Sequence, residues 1–141
     1  MTPPSLVVDT SAAVAILTAE PVAGHLADLL GSAGQRSISA ASVVELGIVL
    51  GARLGPSGRG MLDRFLREGA VEVVPLDRAQ VDLALDGWHR YGRGRHRAAL
   101  NLGDCFSYGL ARHLRAPIVC TGDDFAHTDL EVLRPPSTAT P

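Results

Sequence analysis

The residues of this chain best suited to chemistry are acidic: Asp9, Glu45, Asp104 and the adjacent pair Asp123 and Asp124. Each follows a β-type apolar run or opens a helix-like one, so segments far apart in the chain can bring their carboxylates to one point. Gathered carboxylates repel and raise one another's pKa, and a cation relieves both effects. No Cys or His pair stands beside them at metal-ligand spacing. An all-oxygen donor set selects a hard ion, Mg²⁺ or Mn²⁺, over zinc. Two such ions about 3.5–4 Å apart can ionise a water and neutralise the leaving oxygen of a phosphodiester, which makes phosphate-ester hydrolysis the chemistry to expect.

Each acid also has an ordinary structural role open to it. Asp9 can cap the helix that follows. Ser42 and Glu45 match the Ser-x-x-Glu capping box. Asp104, three residues after Asn101, suits the positive end of a helix, and Asp123 with Asp124 after Gly122 reads as an acidic turn. What these separate roles leave unexplained is that all the acids fall at the same end of one inferred sheet.

That sheet comes from the alternation of elements. Leu6–Val8 reads as a strand and Ala12–Leu17 as a helix. Pro21 opens a second helix through Leu26, Leu29 and Leu30, closed by Gly31. Ser37–Ser39 is a short strand, and Val43, Leu46, Val49, Leu50 and Leu54 recur at helical spacing until Gly55 and Pro56 stop them. Met61, Leu62, Phe65 and Leu66 mark another helix, Val71–Val74 a strand halted by Pro75, and Ala79–Tyr91 a helix that should carry Val81, Leu85 and Trp88 inward. A Gly- and Arg-rich loop, Gly92–Arg97, leads into a helix over Leu102–Leu114, a strand over Pro117–Cys120 and an edge strand at Val132 and Leu133. Strands alternating with helices predict an α/β fold, a three-layer α/β/α sandwich on a central parallel sheet, with ligands beyond the carboxyl ends of its strands. The expected organisation is one domain over residues 1–134 and a frayed Pro/Ser/Thr tail over 135–141.

Composition narrows the classes. With 141 residues, 46% apolar and 20% charged, the chain can bury a core without disulfides. No apolar run approaches the roughly 18–20 residues of a membrane span and no signal-like start is present, so the expected location is the cytoplasm. Cys105 and Cys120 read as reduced, buried small hydrophobes. All thirteen basic residues are Arg. The absence of Lys argues against phosphoacceptor receivers and dehalogenase-like phosphatases, which place one beside the phosphoryl group, and no GxxxxGK[ST] loop exists for a nucleoside triphosphate. A net charge of -2 gives no global nucleic-acid footprint, yet Arg90, Arg93, Arg95 and Arg97 fall in a stretch without acids.

Val8-Asp9-Thr10-Ser11, Glu45 on its helix, Asn101-Leu102-Gly103-Asp104-Cys105 and Thr121-Gly122-Asp123-Asp124-Phe125 together resemble the motifs of PIN-domain nucleases. The run from Tyr91 to Asn101, followed by Gly103-Asp104-Cys105, is similar to VapC-type toxins of toxin–antitoxin systems. The resemblance implies that Asp9, Glu45 and Asp104 ligate Mg²⁺, that an Asp of the 123–124 pair completes the pocket, and that the chain is an endoribonuclease leaving a 5′-phosphate and a 3′-hydroxyl. It further implies a homodimer inhibited by a small cognate antitoxin. The family's Thr-x-Asp-x-Asp-Phe pattern is one residue shorter here; counting from Thr121 selects Asp123, counting back from Phe125 selects Asp124, and Asp123 is the expected fourth acid. Thr10 and Ser11 have hydroxyls for a phosphate oxygen or for Asp9. Arg93, Arg95 and Arg97 can hold RNA phosphates beside an acidic pocket that would otherwise repel them, with His96 as a surface or phosphate-contacting neighbour. Leu85 and Trp88 read as core or subunit interface, and Phe125 as a core anchor. The alternative to an enzyme is a non-catalytic RNA-binding or regulatory module with the same fold.

Overall fold

The computed structural model describes residues 5–136. Five strands form one all-parallel sheet in the order β3-β2-β1-β4-β5: β1 Ser5–Val8, β2 Gln35–Ser39, β3 Val71–Val74, β4 Ile118–Val119 and β5 Val132–Leu133. Successive strand side chains point to opposite faces, and the burial follows that alternation. Leu6, Val8 and Val119 face one core and Val7 and Ile118 the other, which makes the three layers. The first core is covered by α1 Thr10–Leu17, α2 Ala23–Gly31, α3 Ala40–Leu54 and α4 Ser57–Glu68; the second by α5 Arg78–Tyr91 and α6 Leu102–Leu114. No helix among the described residues is long and apolar enough to cross a membrane.

The sheet's central strand decides where the site sits. β1 pairs with β2 on one side and β4 on the other, so the chain winds outward from it in both directions. A crevice opens at such a switch point, outside the carboxyl ends of the strands. Asp9 is the first residue beyond β1, and the turn carrying Asp123 and Asp124 lies just beyond β4. The predicted elements all form, with boundaries within a few residues; residues 137–141 of the predicted tail lie outside the described residues.

Of the two roles expected for Leu85 and Trp88, core or subunit interface, the core one does not hold. The inward residues of α5 are Gln80, Ala84 and Gly87, whereas Leu85 is 55% and Trp88 39% exposed. Small residues let α5 and α6 approach closely: a Cβ on Gly87 would lie 2.4 Å from the Tyr108 ring, and one on Gly109 would lie 2.9 Å from the Gln80 carbonyl oxygen. Large side chains on that face would hold the helices apart. Leu85 and Trp88 are therefore turned outward, where with Leu76, Leu102 and Phe106 they line an apolar cleft of about 320 Å³. Phe125, by contrast, is the core anchor expected, at 1% exposure.

Gly87→Ala should destabilise the protein despite alanine's better helix propensity. Overpacking against a fully buried ring costs about 1–3 kcal/mol, against about 1 kcal/mol gained from propensity. Thermal melts should show a lowered midpoint; an unchanged or raised one would mean that Tyr108 can move aside.

Candidate functional site

Asp9, Glu45, Asp104 and Asp124 line one cleft of about 360 Å³, with Thr10, Ser11, Asn101 and Thr121 between them. Each reaches it from a different element. Asp9 is the N-cap of α1 and its carboxylate accepts from the Ser11 N–H at 3.1 Å. Asp104 sits in the first turn of α6 in a full capping box with Asn101, accepting the Asn101 N–H at 3.0 Å while the Asn101 side chain accepts the Asp104 N–H at 2.9 Å. For both acids the capping role and the place in the cleft coexist.

Glu45 is different. Helix α3 starts at Ala40 with Ser39 as its cap, so Ser42 is already inside the helix and the expected Ser42–Glu45 capping box does not form. Glu45 instead reaches across to the start of α6, where Gly103 makes room: a Cβ there would stand 2.3 Å from a Glu45 carboxylate oxygen.

The turn after β4 separates the two aspartates. Asp124 lines the cleft, while Asp123 points away, its side chain 84% exposed and paired with Arg134. The buried Phe125 next in sequence pins the turn. Counting back from Phe125 finds the cleft residue; counting forward from Thr121 does not. Of the two candidate aspartates, it is Asp124 and not the favoured Asp123 that lines the cleft.

Two serines hold Asp9. The Ser107 hydroxyl, buried in α6, donates to Asp9 Oδ1 at 2.6 Å, and the Ser11 hydroxyl donates to Oδ2 at 2.7 Å. Ser11 Oγ also accepts the Thr121 N–H at 3.2 Å, which ties the β4 turn to the end of β1. Ser107, Gly103, Glu20 and Arg53 all belong to this site and were missed in the sequence reading. The signal for Ser107 was its helical spacing from Asp104, which puts both on one face of α6.

Electrostatics join the acids. Burial, and then the nearby carboxylates of Asp9, Asp124 and Glu45, push Asp104 up to about 7 even though the Asn101 backbone N–H favours its ionised form. Burial and Asp9 also raise Asp124, while Arg93 pulls it down. No three of His, Cys, Asp and Glu among the described residues converge tightly enough to hold an ion as they stand. The hydrogen bonds give a reason: Asp9 is turned toward its two serines and Asp104 toward Asn101. The donor set nonetheless fits a hard cation. It is all oxygen, burial and neighbouring carboxylates raise Asp104 and Asp124, and the buried Thr10 hydroxyl beside the same cleft has no hydrogen-bond partner among the described residues.

The basic loop divides. Arg93 is exposed beside Asp124, Arg95 folds back over the Trp88 ring at 4.2 Å, and Arg97 is exposed. His96, expected as a surface or phosphate-contacting residue, also has a local role. It is half-buried, its Nδ1 accepts the Ala98 N–H at 3.0 Å, and its ring meets Tyr91 edge-on, so it pins the loop. Thr10 is buried and Ser11 is occupied with Asp9. Both cysteines are free and buried, with thiols raised to about 11 for Cys105 and about 12 for Cys120, chiefly by burial.

Against known proteins, residues 6–130 match the PIN domain. The chain belongs to the PIN-domain family. It is 45% identical over 125 residues to a ribonuclease VapC of Mycolicibacterium smegmatis, covering 89% of this chain and 97% of that one. It is 43% identical over 131 residues to ribonuclease VapC30 of Mycobacterium tuberculosis, covering 93% and 100%. The fold of this PIN domain superposes on VapC20 of M. tuberculosis, a sarcin-ricin-loop-cleaving toxin, with a TM-score of 0.76 at 19% identity over 92% of this chain and 99% of that one. VapBC2 of Rickettsia felis, bound to a promoter DNA fragment, gives a TM-score of 0.74 at 16% identity, covering 92% and 98%. The PIN-domain and VapC resemblance read from the motifs is thereby established, as is the α/β class.

The raised Asp104 pKa gives a pH prediction. Folded, Asp104 keeps its proton to about 7; unfolded, it releases it near the ordinary 3.8. The folded state binds the extra proton between those values, so this group's contribution to stability is full below about 4 and is lost as pH rises through about 7. In a chelator, Asp104→Asn should melt above the parent by a margin that widens across that window. A margin independent of pH would contradict the coupling.

Proposed function

We propose that this PIN domain is a Mg²⁺-dependent endoribonuclease, with Mn²⁺ as the alternative ion, and that it acts as the toxin of a toxin–antitoxin pair. The observation that carries the reading is the placement of Asp9, Glu45, Asp104 and Asp124 around one cleft at the sheet's switch point in a chain that belongs with the VapC ribonucleases. Asp9, Glu45 and Asp104 would hold the metal, with Asp124 completing the acidic set in place of Asp123. Bound there, the metal would supply an ionised water and neutralise charge on the phosphodiester.

The chain's own groups do the rest. Ser107 and Ser11 fix the Asp9 carboxylate from both of its oxygens, and the Asn101 N–H fixes Asp104. Thr10, buried at the cleft wall, keeps a hydroxyl without a hydrogen-bond partner among the described residues next to Asp9. Arg93 stands beside Asp124, where its charge offsets the repulsion that a polyanion meets on approach. Arg97 is exposed on the same loop for a further phosphate, while Arg95 and His96 act by shaping the loop. Cleavage leaves a 5′-phosphate and a 3′-hydroxyl.

The partner is a small antitoxin that covers the cleft and offers it a basic residue. This rests on kinship with VapC proteins and on a fold shared with a Klebsiella pneumoniae toxin–antitoxin complex. A homodimer in the cytoplasm is part of the same proposal.

Asp9→Asn and Asp104→Asn should abolish Mg²⁺-dependent RNA cleavage and growth arrest while the far-UV spectrum stays unchanged; persistent cutting by either would refute the site. The two neighbouring aspartates give a sharper contrast. Asp124→Asn should lose activity on the order of 100-fold or more, since even outer partners of a metal site carry about 10–100-fold. Asp123→Asn should stay within a few-fold of the parent. Millimolar Mg²⁺ should also raise the melting temperature at pH 7.5 in the parent but not in Asp9→Asn.

A further inference from the structure

The floor of the cleft is acidic, and an RNA backbone must be held across it against that charge. Arg93 is exposed and close enough to Asp124 for its charge to favour the ionised carboxylate. Helix α3 forms one wall, where Glu45, Val49 and Arg53 all line the cleft. Residues four apart share one face of a helix, so these three form a stripe. At 1.5 Å per residue, Arg53 stands about 12 Å along the axis from Glu45.

Arg53 is exposed, and among the described residues it makes no ion pair within 4 Å. Glu20 lines the same cleft without closing on it. An arginine in the last turn of a helix has an ordinary use, because its charge faces the negative end of the helix dipole. That use does not require the cleft-facing stripe. Nor does it require a guanidinium left unpaired at the mouth of an acidic groove.

We infer that Arg53 is a phosphate-contacting residue, and that a single RNA strand passing over the carboxylates is held by Arg53 from the α3 wall as well as by Arg93. The inference rests on the ribonuclease reading and adds to it the path of the substrate. RNA in this path is unpaired, as expected of recognition that targets loops with splayed bases. The two arginines hold the backbone without reading its sequence.

The test is binding of a fluorescently labelled single-stranded RNA by anisotropy across a NaCl series, in the Asp104→Asn background so that the RNA stays intact. Each phosphate contact to a single strand contributes about 0.7 to the slope of log affinity against log salt. Arg53→Gln should lower that slope by about 0.7 and weaken binding roughly three- to tenfold at moderate salt, with the melting temperature unchanged. Arg53→Lys should keep the slope. Arg59→Gln, which removes an equal charge from α4 where Arg59 pairs with Asp63, should leave both quantities at parent values. If Arg53→Gln and Arg59→Gln give the same slope, Arg53 is a helix-end charge and the path is wrong. If the parent does not bind RNA at all, the ribonuclease reading fails as well, and the two failures are told apart by that parent measurement.

Discussion

Repulsion among four carboxylates is the constraint around which the end of this sheet is built. The chain brings Asp9, Glu45, Asp104 and Asp124 to one cleft and must hold them there when nothing inherent in the acids favours it. It does so with directed hydrogen-bond donors. Asp9 is gripped by two serines from α1 and α6, and Asp104 by the backbone at its own helix start. The helices do more than cover the sheet. The starts of α1 and α6 supply N–H groups to Asp9 and Asp104, two of the four acids.

The same donors also join the elements. Ser11 touches Asp9 and the Thr121 N–H, so the ends of β1 and β4, adjacent in the sheet, are linked again just above it. Ser107 carries the connection to α6. Displacing Asp9 therefore disturbs segments widely separated in sequence. The buried Phe125 fixes the remaining member by deciding which of two consecutive aspartates faces inward.

Most of this architecture was legible in the residues. Short apolar runs such as Leu6–Val8 and Val71–Val74, bounded by Asp or Pro, located the strands, and the acids that follow strands or open helices located the cleft. The failures have common causes. The face of α5 was misassigned because its close contact with α6 uses Gly87, Ala84 and a buried Gln80, which no hydrophobic pattern marks, while the large apolar Leu85 and Trp88 face out. The Ser42–Glu45 box was a coincidence of spacing, displaced by a better cap three residues earlier at Ser39. Asp123 was preferred because counting through a shortened turn has two answers, and only the side-chain packing of Phe125 chooses between them. Ser107 and Arg53 were findable from their spacing to Asp104 and Glu45 along their helices, but a serine and an arginine carry no distinguishing mark until the partner residues are placed.

Gly103 shows what such a site demands of its scaffold. It lies in the first turn of α6, a position where almost any other residue would make a sturdier helix, and its bare backbone is what allows the Glu45 carboxylate to rest there. Selection of this protein for heat resistance alone would favour filling that position. The variants it enriched would be more robust and would have lost the seat of one acid, so durability and competence pull against each other at a single hydrogen atom.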